Sequence, residues 1–401
     1  MTTTCLPGVV LLVAAVSACS SSSGNADAGD AAKPADTGPH TDGSLHDAGS
    51  DVLSHDAGRD AAPHDAVADG AFTRIDAAEC TSGCPTGYVC STANGLPVCR
   101  APSGVPLLTH VFLIMEENTS LSTLLASENA NAAPNFEAMR KKYATGSGYH
   151  GVGHPSLPNY IALTSGGTQG LTCDCFPVGD AGACTGANCS LIENSCDCPQ
   201  TVKNLADQLE TANKSWTAFG EGMGTPCNLF DSDAGNYAVR HVPFLYYDDI
   251  QTDLSRCTAH VIDYASFDPK MAPDFTYIAP NLIDDMHNPV PATQGNITNG
   301  DTWIAPVVAE IIASSAYKDG GLLVIVWDED DDSGLLVKDA TIPIYVLSPY
   351  AKSGGYVSAA TLDHYSLLAT IEDGMNLPRL GSAGVPRPST ADTLADFFAP
   401  Q

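Results

Sequence analysis

The chain has 401 residues and an apolar fraction of 44%, room for one large domain or two ordinary ones with a sizeable core. Its 47 Asp and Glu against 17 Lys and Arg give a net charge of −30, which argues against nucleic acid and anionic membrane surface as primary partners, since both are repelled. A phosphorylated substrate stays open, provided a metal cation inverts the field locally.

The first residues, MTTTCLPGVVLLVAAVSACSSSSGN, read as an export signal. The apolar run Val9–Val16 is too short to span a bilayer, and VSAC, ending at Cys19, has the small-residue pattern of a lipoprotein cleavage site. Residues 1–19 are thus expected to be removed or processed, with Cys19 as the lipidated first residue and the membrane a partner through that anchor. No Lys or Arg precedes the apolar run, which leaves plain secretory cleavage nearby as the alternative. Either route takes the protein out of the cytoplasm, to the cell envelope or beyond.

Residues 20–78 are Ala, Asp, Gly, Ser and His with scarcely any large apolar side chain. A nine-residue echo runs through them as HDAGSDVLS, HDAGRDAAP and HDAVADGAF, starting at His46, His55 and His64. Such a composition cannot bury enough surface to offset chain entropy, so a disordered acidic tether is expected. Next comes CTSGCPTGYVCSTANGLPVC, within residues 79–100, with Cys80, Cys84, Cys90 and Cys99. Four thiolates could hold zinc, but the spacing lacks paired C-x-x-C knuckles and the compartment is oxidising; two disulfides are expected. Of the 14 cysteines, setting aside Cys5 and Cys19 leaves an even number, as a disulfide framework requires.

From about Val105 to the end the pattern alternates. HVFLIM (His110–Met115), FTYIAP (Phe275–Pro280), GLLVIVW (Gly321–Trp327) and TIPIYVL (Thr341–Leu347) are short apolar runs of the kind that form buried strands. Helix-like segments separate them: PNFEAMRKKYA, TVKNLADQLETANK, DTWIAPVVAEIIASSAYK and DHYSLLATIEDGM, with Thr201 and Asp301 as plausible N-caps. The alternation predicts an α/β domain over 105–401 with a mainly parallel sheet covered by helices. The cysteine-rich stretch 173–199 interrupts it as an insertion pinned by disulfides, with Cys227 and Cys257 completing the set.

In open α/β sheets functional groups gather beyond the C-terminal ends of the strands. HVFLIM runs into Glu116, Glu117 and Asn118; GLLVIVW runs into Asp328, Glu329 and Asp330–Asp332; FTYIAP leads to Asp284, Asp285 and His287. Any one cluster reads as a solvated acidic rim. Three at one sheet edge read as a site for a hard or borderline divalent metal, without which the acids repel one another. His154, His241, His287 and His364 lie in polar joints of the domain; a lone histidine is more often a satisfied core or surface residue than a ligand. His364 falls in the first turn of an expected helix, where an anion is favoured, and Arg240 beside His241 suits a phosphate. Finally, HPSLPNYIAL sets Ser156 between Pro155 and Pro158, either an ordinary turn or a nucleophile presented at the start of a helix.

Taken in order, HVFLIMEENTS, HPSLPNYIALTSG, YAVRHVPF, PNLIDDMHN, VIVWDEDDD and DHYSLLATIEDGMNLP resemble the blocks of the bacterial phosphoesterase family. That family groups secreted acid phosphatases with phosphatidylcholine-type phospholipases C, and the likeness is to its exported acid phosphatase branch, which includes an enzyme that dephosphorylates phosphoinositides. The resemblance implies an alkaline-phosphatase-like core, a mainly parallel sheet sandwiched by helices. It implies Ser156 as nucleophile and Glu117, Asn118, Asp328 and Glu329 around one or two divalent metal ions. His287 and His364 map to phosphate or leaving-group contacts, or with Asp285 to a second metal; His154, Asn159, Arg240 and His241 map to the substrate. The family's E-N-H-S block reads Glu117-Asn118-Thr119-Ser120 here, H-N-P reads His241-Val242-Pro243, and N-D-M-H-D reads Asp284-Asp285-Met286-His287-Asn288. These departures leave the nucleophile and the acids in place and bear on substrate preference. The expected activity is metal-dependent hydrolysis of phosphate monoesters, phospholipid-derived ones included, through a phosphoserine. A phospholipase C-type phosphodiesterase and an inactive surface-binding lipoprotein are the alternatives.

Overall fold

The computed structural model describes residues 80, 83–179, 182–184, 196–232, 236–287, 294–331, 340–384 and 392–400. The signal segment with Cys19, the His-Asp tether, part of the cysteine-rich insertion, Asn288 and Asp332 lie outside the described residues.

In chain order the strands and helices begin with β1 (Val89–Ala93), β2 (Leu96–Arg100), β3 (Val111–Glu116), α1 (Leu121–Asn129), α2 (Pro134–Lys142), β4 (Ala144–Gly146), β5 (Tyr149–His150) and α3 (Ser156–Ser165). Next come α4 (Leu205–Thr211), β6 (Trp216–Gly220), α5 (Asp248–Gln251), α6 (Leu254–His260), β7 (Val261–Asp263), β8 (Phe275–Ala279) and α7 (Gln294–Ala313). The last are α8 (Ser315–Lys318), β9 (Leu322–Trp327), β10 (Ile344–Leu347), β11 (Val357–Ser358), β12 (Leu362–Asp363) and α9 (His364–Gly374).

An eight-stranded sheet in the order β11-β4-β10-β9-β3-β8-β6-β7 forms the centre. β9, β3, β8, β6 and β7 run parallel, and β10 alone reverses, pairing antiparallel with both β9 and β4. Every residue of β3 and of β9 is buried, so both faces of the sheet are covered, as continuous apolar runs require. The helices that cover it fall into two packed groups. One joins α3, α9 and the short turns over 239–246; the other joins α1, α2, α7 and α8. Helix α3 is buried at every position, an apolar core element ending at Gly166 with φ +74°. There a Cβ would meet Leu380 O at 2.5 Å, so glycine is required both by the left-handed turn and by the close approach.

Two expected helix starts are corrected. Helix α4 is capped by Asn204, three residues beyond Thr201, because Asn204 and Asp207 each accept the other's backbone N–H (3.2 and 3.3 Å) in a capping box. Asp301 lies inside α7, which begins at Gln294, and it caps a different helix: its Oδ1 accepts Phe136 N–H at 2.8 Å and Asn135 N–H at 3.0 Å, closing the bare N-terminus of α2. Disulfides pair Cys80 with Cys90 and Cys84 with Cys99, tying the residues before β1 to β1 and to β2, Cys175 with Cys198 and Cys184 with Cys196 in the insertion, and Cys227 with Cys257. Among the described residues no helix is long and apolar enough to cross a membrane.

Asp301→Ala removes the cap from α2 and strands buried N–H groups, so unfolding free energy should fall by about 2 kcal/mol. Urea denaturation monitored by circular dichroism reads this as a lower midpoint with an unchanged slope.

Candidate active site

Strands β9, β3 and β8 are neighbours and run parallel, so the loops after them open at one edge. Backbone bonds tie those loops together. Asp328 N–H donates to Glu116 O (3.1 Å), Glu117 N–H to Asp285 O (2.8 Å), and Asn118 N–H to Asp328 Oδ1 (3.1 Å). Asn118 takes φ +39°, the left-handed region that asparagine tolerates, and so turns the chain sharply behind Glu117.

Ser156 is the first residue of α3, with Pro155 before it and Pro158 inside the first turn, where its missing N–H costs nothing. Its hydroxyl donates to Glu117 Oε2 at 3.0 Å and has Glu329 Oε1 at 3.4 Å and Asn118 Oδ1 at 3.5 Å. Four residues on, at the spacing that shares a helix face, Tyr160 donates its hydroxyl to Glu117 Oε1 and stacks its ring on His241 at 5.6 Å. His241 Nε2 lies 3.1 Å from Glu117 Oε1 without hydrogen-bond alignment, and its Nδ1 lies 3.6 Å from Asp285 Oδ2. His287, half-buried, donates its backbone N–H to Asp285 Oδ1 at 2.9 Å.

Burial governs the charges here. It pushes Glu117 well above the usual carboxylate range, with Asp328 and Asp285 adding to the effect, and it lifts Asp328 and Asp285 each to about 8. Glu329 rises for the same reason. His241 is driven well below the imidazole range by burial, then by Arg240 and His287. Burial drives His241 towards the neutral imidazole, so its close approach to Glu117 is not an ion pair. His154 differs: with 35% of its side chain exposed and Nδ1 2.9 Å from Glu329 Oε2, it is raised to about 9 by that hydrogen bond.

Two of the expected site residues also bond to the loops and acids around Ser156, the Asn159 amide donating to Glu329 Oε2 at 3.4 Å. Asn159 is buried; its Oδ1 accepts Val152 and Gly153 N–H (2.8 and 3.1 Å) and its amide donates to Gly153 O, which shapes the loop carrying His154. His364 is also buried, with Nε2 2.6 Å from Asp328 O and Nδ1 3.1 Å from Tyr149 Oη, and burial lowers it to about 4. The acidic run after β9 divides its labour. Asp328 and Glu329 face the Ser156 cluster, whereas Asp330 accepts Ala340 N–H and Asp331 accepts Ser120 N–H and Thr123 Oγ1–H at the start of α1. Arg240 sits beside Asp174, with Nε 3.8 Å from Oδ2. Tyr149, Tyr160 and Asp174 were not singled out from the sequence. The four-residue spacing of Tyr160 from Ser156 was a usable signal; nothing local marks Asp174.

A profile of the phosphoesterase family matches residues 115–378, which spans β3 to the residues just past α9 and includes every group described above. The chain belongs to the phosphoesterase family. This phosphoesterase is 30% identical over 292 residues to the phosphatidylinositol-3-phosphatase of Mycobacterium tuberculosis, covering 71% of the chain and 82% of that protein. It is 25% identical over 264 residues to an acid phosphatase of Aspergillus fumigatus, covering 63% of the chain and about half, 53%, of that longer protein. A solved structure of an alkaline phosphatase superfamily protein from Vibrio parahaemolyticus aligns over 76% of the chain and 74% of its own at 11% identity, with a TM-score of 0.45. The phosphoesterase is an enzyme of the phosphoric ester hydrolase class.

The donors around Ser156 suit a divalent cation. They are hard oxygens, and Asp328 Oδ2 and Asp285 Oδ2 are buried with no hydrogen-bond partner. Among the described residues, the triples of acidic, histidine or cysteine ligand atoms lying within 4.8 Å of one another are all cysteines already in disulfides. The acids thus fan around the Ser156 hydroxyl rather than converging to bonding distance.

At pH 6.5 the unfolded histidines are half protonated, so lowered groups such as His241 and His364 add only a small gain in stability as pH rises further, about 0.4 kcal/mol each. Between there and about 8 the folded chain still holds protons on Asp328, Asp285 and His154 that the unfolded chain has released, so stability falls as pH rises. Differential scanning calorimetry of the chelator-treated protein should give a lower Tm at pH 8 than at pH 6.5; a flat or rising Tm means the acids are ionised in the fold.

Proposed function

We propose that this chain is a divalent-metal-dependent phosphomonoesterase of the acid phosphatase type, with Ser156 as nucleophile, working outside the cytoplasm. The observation that carries the proposal is the Ser156 hydroxyl, placed at a helix N-terminus inside a ring of Glu117, Asn118 and Glu329 oxygens. A serine hydroxyl is a poor nucleophile at neutral pH and needs both an acceptor for its proton and a counter-charge for the phosphate. Glu117, Asn118, Asp328 and Glu329 would hold the cation, which when bound supplies Lewis-acid polarisation and cancels charge that would otherwise repel a phosphate.

The residues themselves do the rest. Ser156 Oγ forms a bond to phosphorus as its proton passes to Glu117 Oε2, 3.0 Å away, and the bond from phosphorus to the leaving oxygen breaks. The leaving oxygen needs a proton, and His154, held charged through neutral pH and exposed at the rim, is the donor this geometry offers. Water then attacks phosphorus, giving a proton to the now neutral His154, and the bond to Ser156 Oγ breaks as Glu117 returns its proton, releasing inorganic phosphate. Arg240, half-buried yet cationic, would steady the phosphate oxygens, and half-buried His287 stands on the side of Asp285. His364 is given a positioning role, bracing the Asp328 peptide from behind. Phosphoinositides enter as candidate substrates through the mycobacterial relative's name.

Several features support export. The amino-terminal stretch ending at Cys19 reads as a lipoprotein signal, and disulfides recur throughout the described residues, as befits an oxidising compartment.

Ser156→Ala should lower phosphate release from an aryl phosphate by at least about 10³-fold with an unchanged circular dichroism spectrum; retained turnover sinks the nucleophile assignment. Chelation should abolish wild-type activity and a divalent cation should restore it. In a substrate panel, a phosphomonoester should be preferred over a bis-aryl phosphodiester and over phosphatidylcholine; the reverse order identifies a phospholipase C-type diesterase.

A further inference from the structure

The cysteine-rich insertion sends one side chain into the centre of the fold. Asp174, between Cys173 and Cys175, is buried. Its Oδ1 accepts the N–H of Leu157 at 2.9 Å, the residue after Ser156, and its Oδ2 lies 3.8 Å from Nε of Arg240. Helix α3 has no side-chain cap of its own, because Pro155 occupies that position, so the cap comes from the insertion loop that follows the helix. The same loop is fastened to the segment that carries Arg240. Cys175 O accepts the Tyr246 hydroxyl at 2.6 Å, Tyr246 O accepts Gln200 N–H at 2.6 Å, and Cys175 is bonded to Cys198. Nucleophile helix, arginine and insertion therefore share one junction, and Asp174 is its meeting point.

Burial works against the charge on Arg240, and Asp174 followed by Glu117 more than offsets it. An arginine paired at Nε by charge, 3.8 Å from Asp174 Oδ2, keeps its two Nη groups for a second, bidentate partner, and a phosphate is the partner that fork fits. Resting on the phosphoryl site placed at Ser156, we propose that Asp174 is a positioning residue: it aims Arg240 at the substrate phosphate and fixes the turn that presents Ser156. The disulfide-bonded insertion is then part of the active centre and not a surface ornament.

The sign of the charge effect makes this testable. Removing a carboxylate near an anion site by itself tightens anion binding. A weakening on its removal consequently reads lost orientation. Asp174→Asn keeps an Oδ1 acceptor for Leu157 N–H while losing the grip on Arg240.

Isothermal titration calorimetry of inorganic phosphate into the full chain, with divalent cation present, compares wild type, Asp174→Asn, Arg240→Ala and the double variant. Asp174→Asn should weaken phosphate about tenfold, and the double variant should be no weaker than Arg240→Ala alone, since the first change acts through the second residue. Unchanged or tighter binding in Asp174→Asn overturns the inference, even if Tm falls, and so do additive losses in the double variant. If Asp174→Asn fails to fold, Asp174→Glu keeps the charge on a longer arm; it should also weaken phosphate, and unchanged affinity overturns the inference. A wild-type chain that binds no phosphate overturns it outright. Failure of wild type to release phosphate from any monoester sinks the proposed activity separately, because the affinities still judge the Asp174–Arg240 pair.

Discussion

Four carboxylates, Glu117, Asp285, Asp328 and Glu329, are buried together at one edge of a parallel sheet, and that like-charge crowding is the constraint on which the surrounding structure depends. Carboxylates out of water resist ionisation, and neighbours of the same sign resist it further. The fold pays for this with protons, hydrogen bonds and nearby cations. Glu117 alone collects the Ser156 and Tyr160 hydroxyls, and Arg240 and His154 bring positive charge to its flank and to Glu329. A bound cation would answer the same crowding more completely, and would then link stability and activity at one cluster.

Much of the scaffold can be understood as holding those acids still. The loops after β3, β8 and β9 are stitched backbone to backbone, so Glu117, Asp285 and Asp328 move as a unit. His364 and Tyr149 brace the Asp328 peptide from below, and Asn159 shapes the loop that brings His154 to Glu329. Asp331 spends its carboxylate on the start of α1, so two neighbours in one acidic run differ in purpose by which way the chain leaves β9. Capping from outside the helix recurs as a device: Asp301 closes α2 from 165 residues on, and Asp174 closes α3 from a loop 17 residues on.

The sheet was legible because buried parallel strands must be continuously apolar, and β3, β8 and β9 announce themselves that way. The orientation of β10 was not, since a buried strand carries the same residues whichever way it runs. Helix starts were misread at Thr201 and Asp301 because a capping residue looks alike whether it serves its own helix or another. Around the site, Ser156, Glu117, Asn118, Asp328 and Glu329 could be named from strand-end position and motif, and the structure brings them together. His364 and Asn159 could be named from motif and, for His364, from its place in the first turn of a helix; both are buried, one bonded to Asp328 O and the other to Glu329.

By itself, then, the sequence determined the alternation of elements, the edge at which chemistry collects and the identity of the hydroxyl and acids, because these follow from local periodicity and from the rule that loops after parallel strands share one side. Only the tertiary structure decided which polar groups face Ser156 and which turn away, and that Asp174 from a disulfide-bonded excursion caps the helix of Ser156 and grips Arg240. Those contacts join residues with no common local pattern, and their partners are chosen by packing, which no short window of sequence contains.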